Sequence, residues 1–194
     1  MGKYVTSGVM STINSFIEKQ QNIPFTMRNV YRMLDMIVQT HGERMNRVLV
    51  EAFDLICSFS SDNSTAGETW KTNANYMVNR KFIVPGICSY DTRWPTNYIK
   101  LGYGRYQYKI EDVVKALCHL TGTNYEDCSN LGSFVSRMSM NWGEWYNWGF
   151  FRIKGYKKGT MHFEFEDEKV WMDFNRKVAE FKGWQLPDNV RTKK

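Results

Sequence analysis

Apolar residues recur every three or four positions along the N-terminal third of the chain, which is the spacing of amphipathic helices. A first run stops near Pro24, so we expect an N-terminal helix within residues 1–25. A second run begins at Thr26, whose hydroxyl can cap a helix start, and predicts a long helical segment over residues 26–60. The apolar positions of this second run include Val30, Leu34, Ile37, Met45, Val48, Ala52 and Ile56.

The same spacing indicates further helices in the C-terminal half. Two short apolar stripes predict a helical pair within residues 110–140, and a longer stripe predicts a helix over residues 167–183. Asp167 can cap the start of this last helix and Gly183 its end. The stripes consist of Ile110, Val113, Val114 and Leu117, of Leu131, Phe134, Val135 and Met138, and of Val170, Trp171, Phe174, Val178 and Phe181.

Strand patterns occur in two places, where apolar and polar residues alternate. One is the run 81–87, and the other predicts a β-hairpin within residues 144–165. The first arm of the hairpin would be Trp145–Tyr156, and a turn at Gly159 would lead into the second arm, Thr160–Phe165. In the second arm the two strand faces would carry Met161, Phe163 and Phe165 on one side and His162 and Glu164 on the other.

Together these elements predict one α+β domain over residues 1–194. Its helical N-terminal half would pack on a small antiparallel sheet, and the C-terminal helix would cover one face of that sheet. A loop and strand region over residues 61–109, rich in basic and aromatic residues, would separate the long helical segment from the helical pair. The composition agrees with a globular protein, because 42% of the residues are hydrophobic and 24% are charged.

The net charge of +6 is concentrated in two segments. Residues 61–109 carry a net charge of +4 and residues 150–165 carry +3, whereas residues 110–149 between them carry −3. Both basic segments interleave cations with aromatic rings; cations bind phosphates, and flat rings stack on bases. The alternative is that these rings cover the core and the cations solvate its rim. On the first interpretation, nucleic acid would be bound by Arg93, Trp94, Lys100, Arg105, Tyr106, Lys109, Arg152, Lys154, Lys157 and Lys158.

Motifs for catalysis, metals and cofactors are missing from the sequence. The chain has no Gly-x-Ser-x-Gly, no phosphate-binding glycine fingerprint and no zinc-ligand spacing, so we predict no cofactor and no metal and leave catalytic residues unknown. His162-Phe163-Glu164 imitates the His-x-Glu of zinc deaminases, but no Pro-Cys-x-x-Cys accompanies it. We expect His162 and Glu164 to form a hydrogen-bonded pair at the surface.

The cysteines indicate a reducing compartment. Cys57, Cys88, Cys118 and Cys128 are scattered, and none forms a Cys-x-x-Cys pair, whereas a secreted disulfide scaffold is denser in cysteine. No apolar run reaches the ~18 residues of a membrane span. We therefore expect a reduced, cytoplasmic protein with partly buried thiols and no membrane contact.

Three stretches together resemble one family. The first runs from His41-Gly42-Glu43-Arg44 into Val48-Leu49-Val50-Glu51-Ala52-Phe53, and the second joins Trp70-Lys71-Thr72-Asn73 to Arg80-Lys81-Phe82-Ile83-Val84. The third and most specific runs from Phe151-Arg152-Ile153-Lys154 through Tyr156 to Phe165, and looks like an aromatic-Lys/Arg-x-Gly-x-x-His-x-x-Phe signature. On these residues the chain resembles, over about residues 26–185, the bacterial and phage family catalogued as domain of unknown function 4942.

The resemblance implies a setting in plasmids, prophages and other mobile elements, where such domains are sometimes joined to a SAM-dependent DNA methyltransferase. It implies no activity, because the family has no agreed one and we find no methyltransferase motif in this chain. The signature residues matched here are Lys157, Gly159 and His162. Gly159 also suits a hairpin turn that requires a positive φ. Residues 89–148 depart from the family pattern.

Three functions follow as hypotheses, and the oligomeric state stays open. The leading one is a non-catalytic accessory module of a phage or mobile genetic element that contacts DNA or RNA through its basic and aromatic segments. The second is a factor that binds a host defence or replication protein, since eleven Met and many aromatic residues suit an adaptable apolar interface. The third is an enzyme such as a nuclease, which would need His162 and carboxylates such as Glu164 to converge in a pocket.

Overall fold

An antiparallel sheet of four strands carries helices on one of its faces. This computed structural model describes residues 41–65, 76–102 and 105–186, together with positions 18, 26–29 and 31. The helix expected within residues 1–25 lies outside the described residues apart from Glu18, and so does most of the first part of the long helical segment. The remainder of that segment is helical.

The helices are α1 (His41–Phe59), α2 (Arg105–Thr121), α3 (Leu131–Met138) and α4 (Glu168–Lys182). The strands are β1 (Ser64–Thr65), β2 (Met77–Val78), β3 (Lys81–Val84), β4 (Cys88–Ser89), β5 (Lys100–Leu101), β6 (Tyr146–Trp148), β7 (Phe151–Gly155) and β8 (Met161–Phe165). Short 3-10 turns follow α1 at Ser61–Asn63 and α2 at Tyr125–Asp127.

The order of strands in the main sheet is β3-β8-β7-β6. The last three strands of the chain form two successive hairpins, and β3 joins them from an earlier part of the sequence. In this pairing Phe82 of β3 lies opposite Phe163 of β8, and Ile153 of β7 lies opposite the same residue. The strand alternation therefore places these three side chains on one face of the sheet, where all three are buried.

The inner face of the sheet is aromatic and packs against the helices. Phe82 and Phe163 stack with their ring centroids 5.2 Å apart. Phe165 of β8 meets Phe174 of α4 at 6.2 Å, and Phe174 meets Phe53 of α1 at 6.4 Å. The core thus runs from the sheet through α4 to α1, and it confirms that the C-terminal helix covers one face of the sheet.

Local capping explains where α4 begins and ends. The carboxylate of Asp167 accepts a hydrogen bond from the backbone N–H of Lys169 at 2.7 Å, which satisfies a donor that the first helical turn leaves open. At the other end Gly183 has a φ of +68°, the left-handed conformation that ends many helices. Both predicted caps are confirmed.

Two buried asparagines hold strands to helices. The amide of Asn63 donates to the carbonyls of Ile56 and Ile83 at 3.0 and 2.8 Å, and its oxygen accepts from the N–H of Ile83 at 2.7 Å. Asn175 of α4 accepts from the N–H of Val78 at 2.8 Å. Each asparagine therefore supplies hydrogen bonds that a short edge strand would otherwise lack.

The structure confirms the α+β class but corrects two of the predicted elements. The predicted first arm Trp145–Tyr156 is two strands, because the chain turns at Gly149, which has a φ of +56°. Helix α2 begins at Arg105 rather than at Ile110, so residues 105–109 are helical and do not belong to the basic loop and strand region. Among the described helices none is both long enough and apolar enough to cross a membrane.

Candidate nucleic-acid interface

The outer face of the sheet, turned away from the helices, is polar and basic. Lys81 and Arg152 both lie opposite Glu164, and Lys154 lies opposite His162. These residues alternate along their strands with the buried aromatic ones, so the two-residue period fixes which face they occupy. A strand with an apolar inner face thus presents its cations on the outer face.

Trp145, which precedes β6, lies among three cations of the outer face. The Arg152 guanidinium is 5.0 Å from its ring centroid, and the Lys81 and Lys154 ammonium groups are 5.3 and 5.8 Å away. Each distance is within the range of a cation–π interaction. The half-buried indole therefore holds cations from β3 and β7 beside one another.

The same alternation of cations and rings continues into the β7–β8 turn. The ammonium of Lys154 is 5.5 Å from the ring centroid of Tyr156, and the ammonium of Lys158, within the turn, is 5.9 Å from the same centroid. The turn itself is closed by a hydrogen bond from the N–H of Gly159 to the carbonyl of Tyr156 at 2.9 Å. Gly159 has a φ of +91°, which confirms the predicted need for glycine there.

The turn then meets the earlier basic segment. The ammonium of Lys157 lies 5.1 Å from the ring centroid of Tyr90, and the N–H of Cys88 donates to the carbonyl of Gly159 at 3.1 Å. Two segments that are well separated in sequence therefore form one surface. We call it the basic-aromatic face, formed by Lys81, Tyr90, Trp145, Arg152, Lys154, Tyr156, Lys157 and Lys158.

A loop over residues 90–100, the 90–100 loop, continues this face. The indole N–H of Trp142 donates to the carbonyl of Thr96 at 2.9 Å, and the N–H of Ile99 donates to the carbonyl of Met140 at 2.6 Å. These bonds anchor the loop while Trp94 stays 78% exposed at its surface. Trp94 thus offers an exposed aromatic ring on a loop whose backbone is anchored at Thr96 and Ile99.

The structure does not bring every predicted contact residue to this face. Lys100, where the 90–100 loop enters strand β5, lies over the ring of Tyr98 at 5.6 Å. The Tyr106 ring instead packs edge-on against Phe59 of α1 at 5.7 Å, and Lys109 lies over that same tyrosine. Tyr106 and Lys109 therefore belong to the helical layer. Arg93 is exposed on the loop and contacts Asp91, and Arg105 is the first residue of α2.

His162 is not bonded to Glu164, so that sequence-based expectation is wrong. Glu164 accepts two hydrogen bonds of 3.0 Å from the Arg152 guanidinium across the strand pair. Both ring nitrogens of His162 are shielded from solvent and have no hydrogen-bond partner. The ring packs beside Tyr156, with the centroids 4.5 Å apart.

The pKa of His162 is set by its burial and by the lysines of the basic-aromatic face. Burial, together with the positive charges of Lys81, Lys158 and Lys154, lowers the pKa of His162 to about 4. The imidazole is therefore neutral at pH 7 and adds no charge of its own. The cations around it remain the dominant charges of this part of the surface.

The Glu164 carboxylate and the His162 ring do not contact each other by a hydrogen bond. The Glu164 carboxylate is engaged by Arg152 rather than directed at His162. In the part of the chain that the structure describes, no group of three or more His, Cys, Asp or Glu side chains is arranged to hold a metal ion.

Sequence reasoning missed Lys81 as a member of the face. The alternation in Lys81-Phe82-Ile83-Val84 predicts that the side chains of Lys81 and Phe82 are on different faces of the strand. It does not predict that β3 pairs with β8. The sequence predicts Tyr156 as the end of a hairpin arm, and the structure adds it to the face, because the ammonium groups of Lys154 and Lys158 both lie over its ring.

Comparison with known proteins places the chain in a family. The model of the family described as Domain of unknown function (DUF4942) matches residues 1–184, and the chain belongs to that family. The chain has no significant match among curated proteins. It has no significant match among solved structures either.

Proposed function

We propose that this chain is a non-catalytic accessory module of a phage or mobile genetic element, acting in the cytoplasm, and that it binds nucleic acid through the basic-aromatic face and the 90–100 loop. The observation that carries the proposal is the contact of Lys157 with Tyr90 at 5.1 Å. It joins two basic segments into one surface, and a continuous row of cations suits a phosphate backbone.

The charge state of the turn supports this proposal. Among the described residues, no carboxylate pairs with Lys154, Lys157 or Lys158; each instead lies over an aromatic ring. By contrast, Lys177 of α4 pairs with Glu180 at 3.0 Å. Cations without an acidic partner gain most from a phosphate, because no existing ion pair has to be broken.

The exposed ring of Trp94 favours single-stranded regions as the ligand. A base in a duplex is already stacked on its neighbours, whereas a base in a single strand can stack on an aromatic side chain. The lysines at the turn would contact phosphates, and Trp94 of the 90–100 loop would stack on a base. Such binding tolerates many sequences, because every base offers a flat face.

Binding is tested by fluorescence anisotropy of labelled single- and double-stranded DNA and RNA at several salt concentrations. The turn variant, Lys154→Ala/Lys157→Ala/Lys158→Ala, removes one charge from the end of β7 and two from the β7–β8 turn. The matched control Lys169→Ala/Arg176→Ala/Lys177→Ala removes three charges from α4, which packs on the opposite side of the sheet. Circular dichroism and urea unfolding establish that both variants are folded.

The wild type is expected to bind with micromolar or tighter affinity that weakens steeply with salt. The turn variant should bind about tenfold more weakly. Its slope of log K against log salt concentration should be smaller in magnitude by about 2, as expected for three lost phosphate contacts to a single strand. Absence of binding at low salt, or equal losses in the turn and control variants, would overturn the proposal. A pull-down with Trp94 as the expected anchor would then test the protein-binding alternative.

A further inference from the structure

Two cysteines that are ten positions apart in sequence lie in contact. The sulfur atoms of Cys118 and Cys128 are 3.6 Å apart, and both residues are free thiols. Cys118 is in the last turn of α2, and Cys128 caps the end of the 3-10 turn Tyr125–Asp127. A disulfide bond is about 2.05 Å long, so the sulfurs need to approach by only about 1.6 Å.

The backbone holds the two cysteines in this position. The N–H of Thr123 donates to the carbonyl of Cys118 at 2.9 Å, and the N–H of Cys128 donates to the carbonyl of Tyr125 at 3.0 Å. Just beyond, the indole N–H of Trp148 donates to the carbonyl of Ser129 at 2.7 Å, which ties this segment to β6. The approach of the sulfurs is therefore fixed by hydrogen bonds on both sides.

The two thiols differ in accessibility, which sets the order in which they would react. Burial raises the pKa of Cys118 to about 12, and the neighbouring Cys128 contributes to the rise. Cys118 is buried, whereas Cys128 is half-buried. The thiolate of Cys128 is thus the one that a small oxidant from solvent reaches first.

We propose that Cys118 and Cys128 form a site of reversible oxidation, which closes to a disulfide when the protein meets a peroxide. The Cys128 thiolate attacks one oxygen of hydrogen peroxide, the O–O bond breaks, and a sulfenic acid and water are formed once the leaving hydroxide takes up a proton. The Cys118 sulfur then attacks the sulfenic sulfur, the S–O bond breaks, and the hydroxide leaves as water with the Cys118 proton. Two thiols and one peroxide thus give one disulfide and two waters.

Closure of this bond would join the end of α2 to the segment that leads into α3. The disulfide lowers the conformational entropy of the unfolded chain, and it forms without a large movement in the folded protein. It should therefore stabilise the protein against heat. The expected increase in Tm is about 5 °C or more for a protein of this size. The disulfide would form whether or not the protein binds nucleic acid.

The experiment treats the native wild-type protein with hydrogen peroxide and compares it with Cys118→Ser, Cys128→Ser and the control Cys57→Ser. Intact mass spectrometry, peptide mapping and thiol counting follow the products, and thermal unfolding is recorded before and after reduction with dithiothreitol. Two single variants are used because the buried Cys118 tolerates change less well than the half-buried Cys128.

The wild type and the Cys57 variant should lose the mass of two hydrogen atoms, yield a Cys118–Cys128 linked peptide and show the rise in Tm. Dithiothreitol should reverse each of these changes. Both pair variants should form no intramolecular disulfide and show no rise in Tm. A wild type that keeps all its thiols, links other cysteines, or is oxidised beyond the disulfide without a linked peptide would overturn the proposal.

Discussion

The side chain of Lys157 lies over the ring of Tyr90, with its ammonium nitrogen 5.1 Å from the ring centroid. This contact connects the β7–β8 turn to the 90–100 loop. Each partner belongs to a segment that is basic and aromatic in its own right, and their union creates a surface that neither segment forms alone. The proposed binding of nucleic acid depends on that joint surface.

The Lys157–Tyr90 contact should be measurable as a coupling energy. A double-mutant cycle with Lys157→Met and Tyr90→Leu, followed by urea unfolding, should give a coupling of about 0.5 kcal/mol, the usual size of a cation–π pair at an accessible site. The cycle of Lys158→Met with Tyr90→Leu is the control, because Lys158 lies over Tyr156 instead. Equal coupling in both cycles would contradict the assigned contact.

Gly155 sets how closely the loop approaches the hairpin. A Cβ atom at this position would lie 2.5 Å from Cδ1 of Ile99 and 3.2 Å from Sγ of Cys88. Gly155→Ala should therefore destabilise the protein by about 1–3 kcal/mol, the cost of overpacking a filled core. Gly102→Ala is the control, since its nearest neighbour would be at 3.6 Å.

A second substitution tests the cause of this destabilisation. Ile99→Val removes the Cδ1 atom, so it should recover part of the stability that Gly155→Ala loses. The free energy of unfolding in urea measures both effects. No recovery in the double variant would show that a contact other than the one with Ile99 limits the space.

The amide of Asn63 should be indispensable to the junction of α1 with β3. Asn63→Ala leaves the N–H of Ile83 and the carbonyls of Ile56 and Ile83 without their partners in a buried place. We expect a loss of about 2 kcal/mol in the free energy of unfolding. Asn97→Ala, at an exposed position of the loop, should change it little, and a similar loss in the two variants would refute this role.

His162 should make the stability depend on pH in a specific range. The folded-state pKa of about 4 lies below the ordinary value of 6.5, because burial and three nearby lysines disfavour the cation. Below pH 6.5 the unfolded chain binds a proton at this residue and the folded chain does not, so stability is lost as the pH falls from 6.5 toward 4. The charged groups that face this part of the sheet are Lys81, Arg152, Lys154, Lys158 and Glu164.

The comparison is between the wild type and His162→Gln, with unfolding free energies measured at pH 7 and pH 5. The variant should lose about 1 kcal/mol less than the wild type on acidification, since solvent screening reduces the full effect at a half-buried ring. An NMR titration of the His162 ring provides the direct measurement. A folded-state pKa near 6.5 would contradict the shielded environment.

Local signals accounted for much of the fold. The caps of α4 at Asp167 and Gly183, the alternation along β8 and the glycine of its turn depend on neighbours in sequence, and all are as predicted. The break of the first hairpin arm at Gly149 was missed, because the flanking residues Trp148 and Phe151 suit a strand on either side of the turn.

The candidate site depends on contacts between residues that are distant in sequence, which is why only part of it was predicted. The lysines of the β7–β8 turn were identified from charge alone. The contribution of Lys81 required the pairing of β3 with β8, and the environment of His162 required the Tyr156 ring and lysines from β3, β7 and the turn. Cys118 and Cys128 have no motif spacing, and only the turn that follows α2 brings them together.

Photo-crosslinking of the protein to a bound single strand, followed by peptide mapping, locates the nucleic acid on the surface of the protein. If the basic-aromatic face binds the strand, crosslinked peptides are expected from the 90–100 loop, with Trp94 as the main position, and from the β7–β8 turn at Tyr156. These crosslinks should disappear in the Lys154→Ala/Lys157→Ala/Lys158→Ala variant. Crosslinks confined to α4, or distributed over the surface without regard to the basic-aromatic face, would contradict binding through that face.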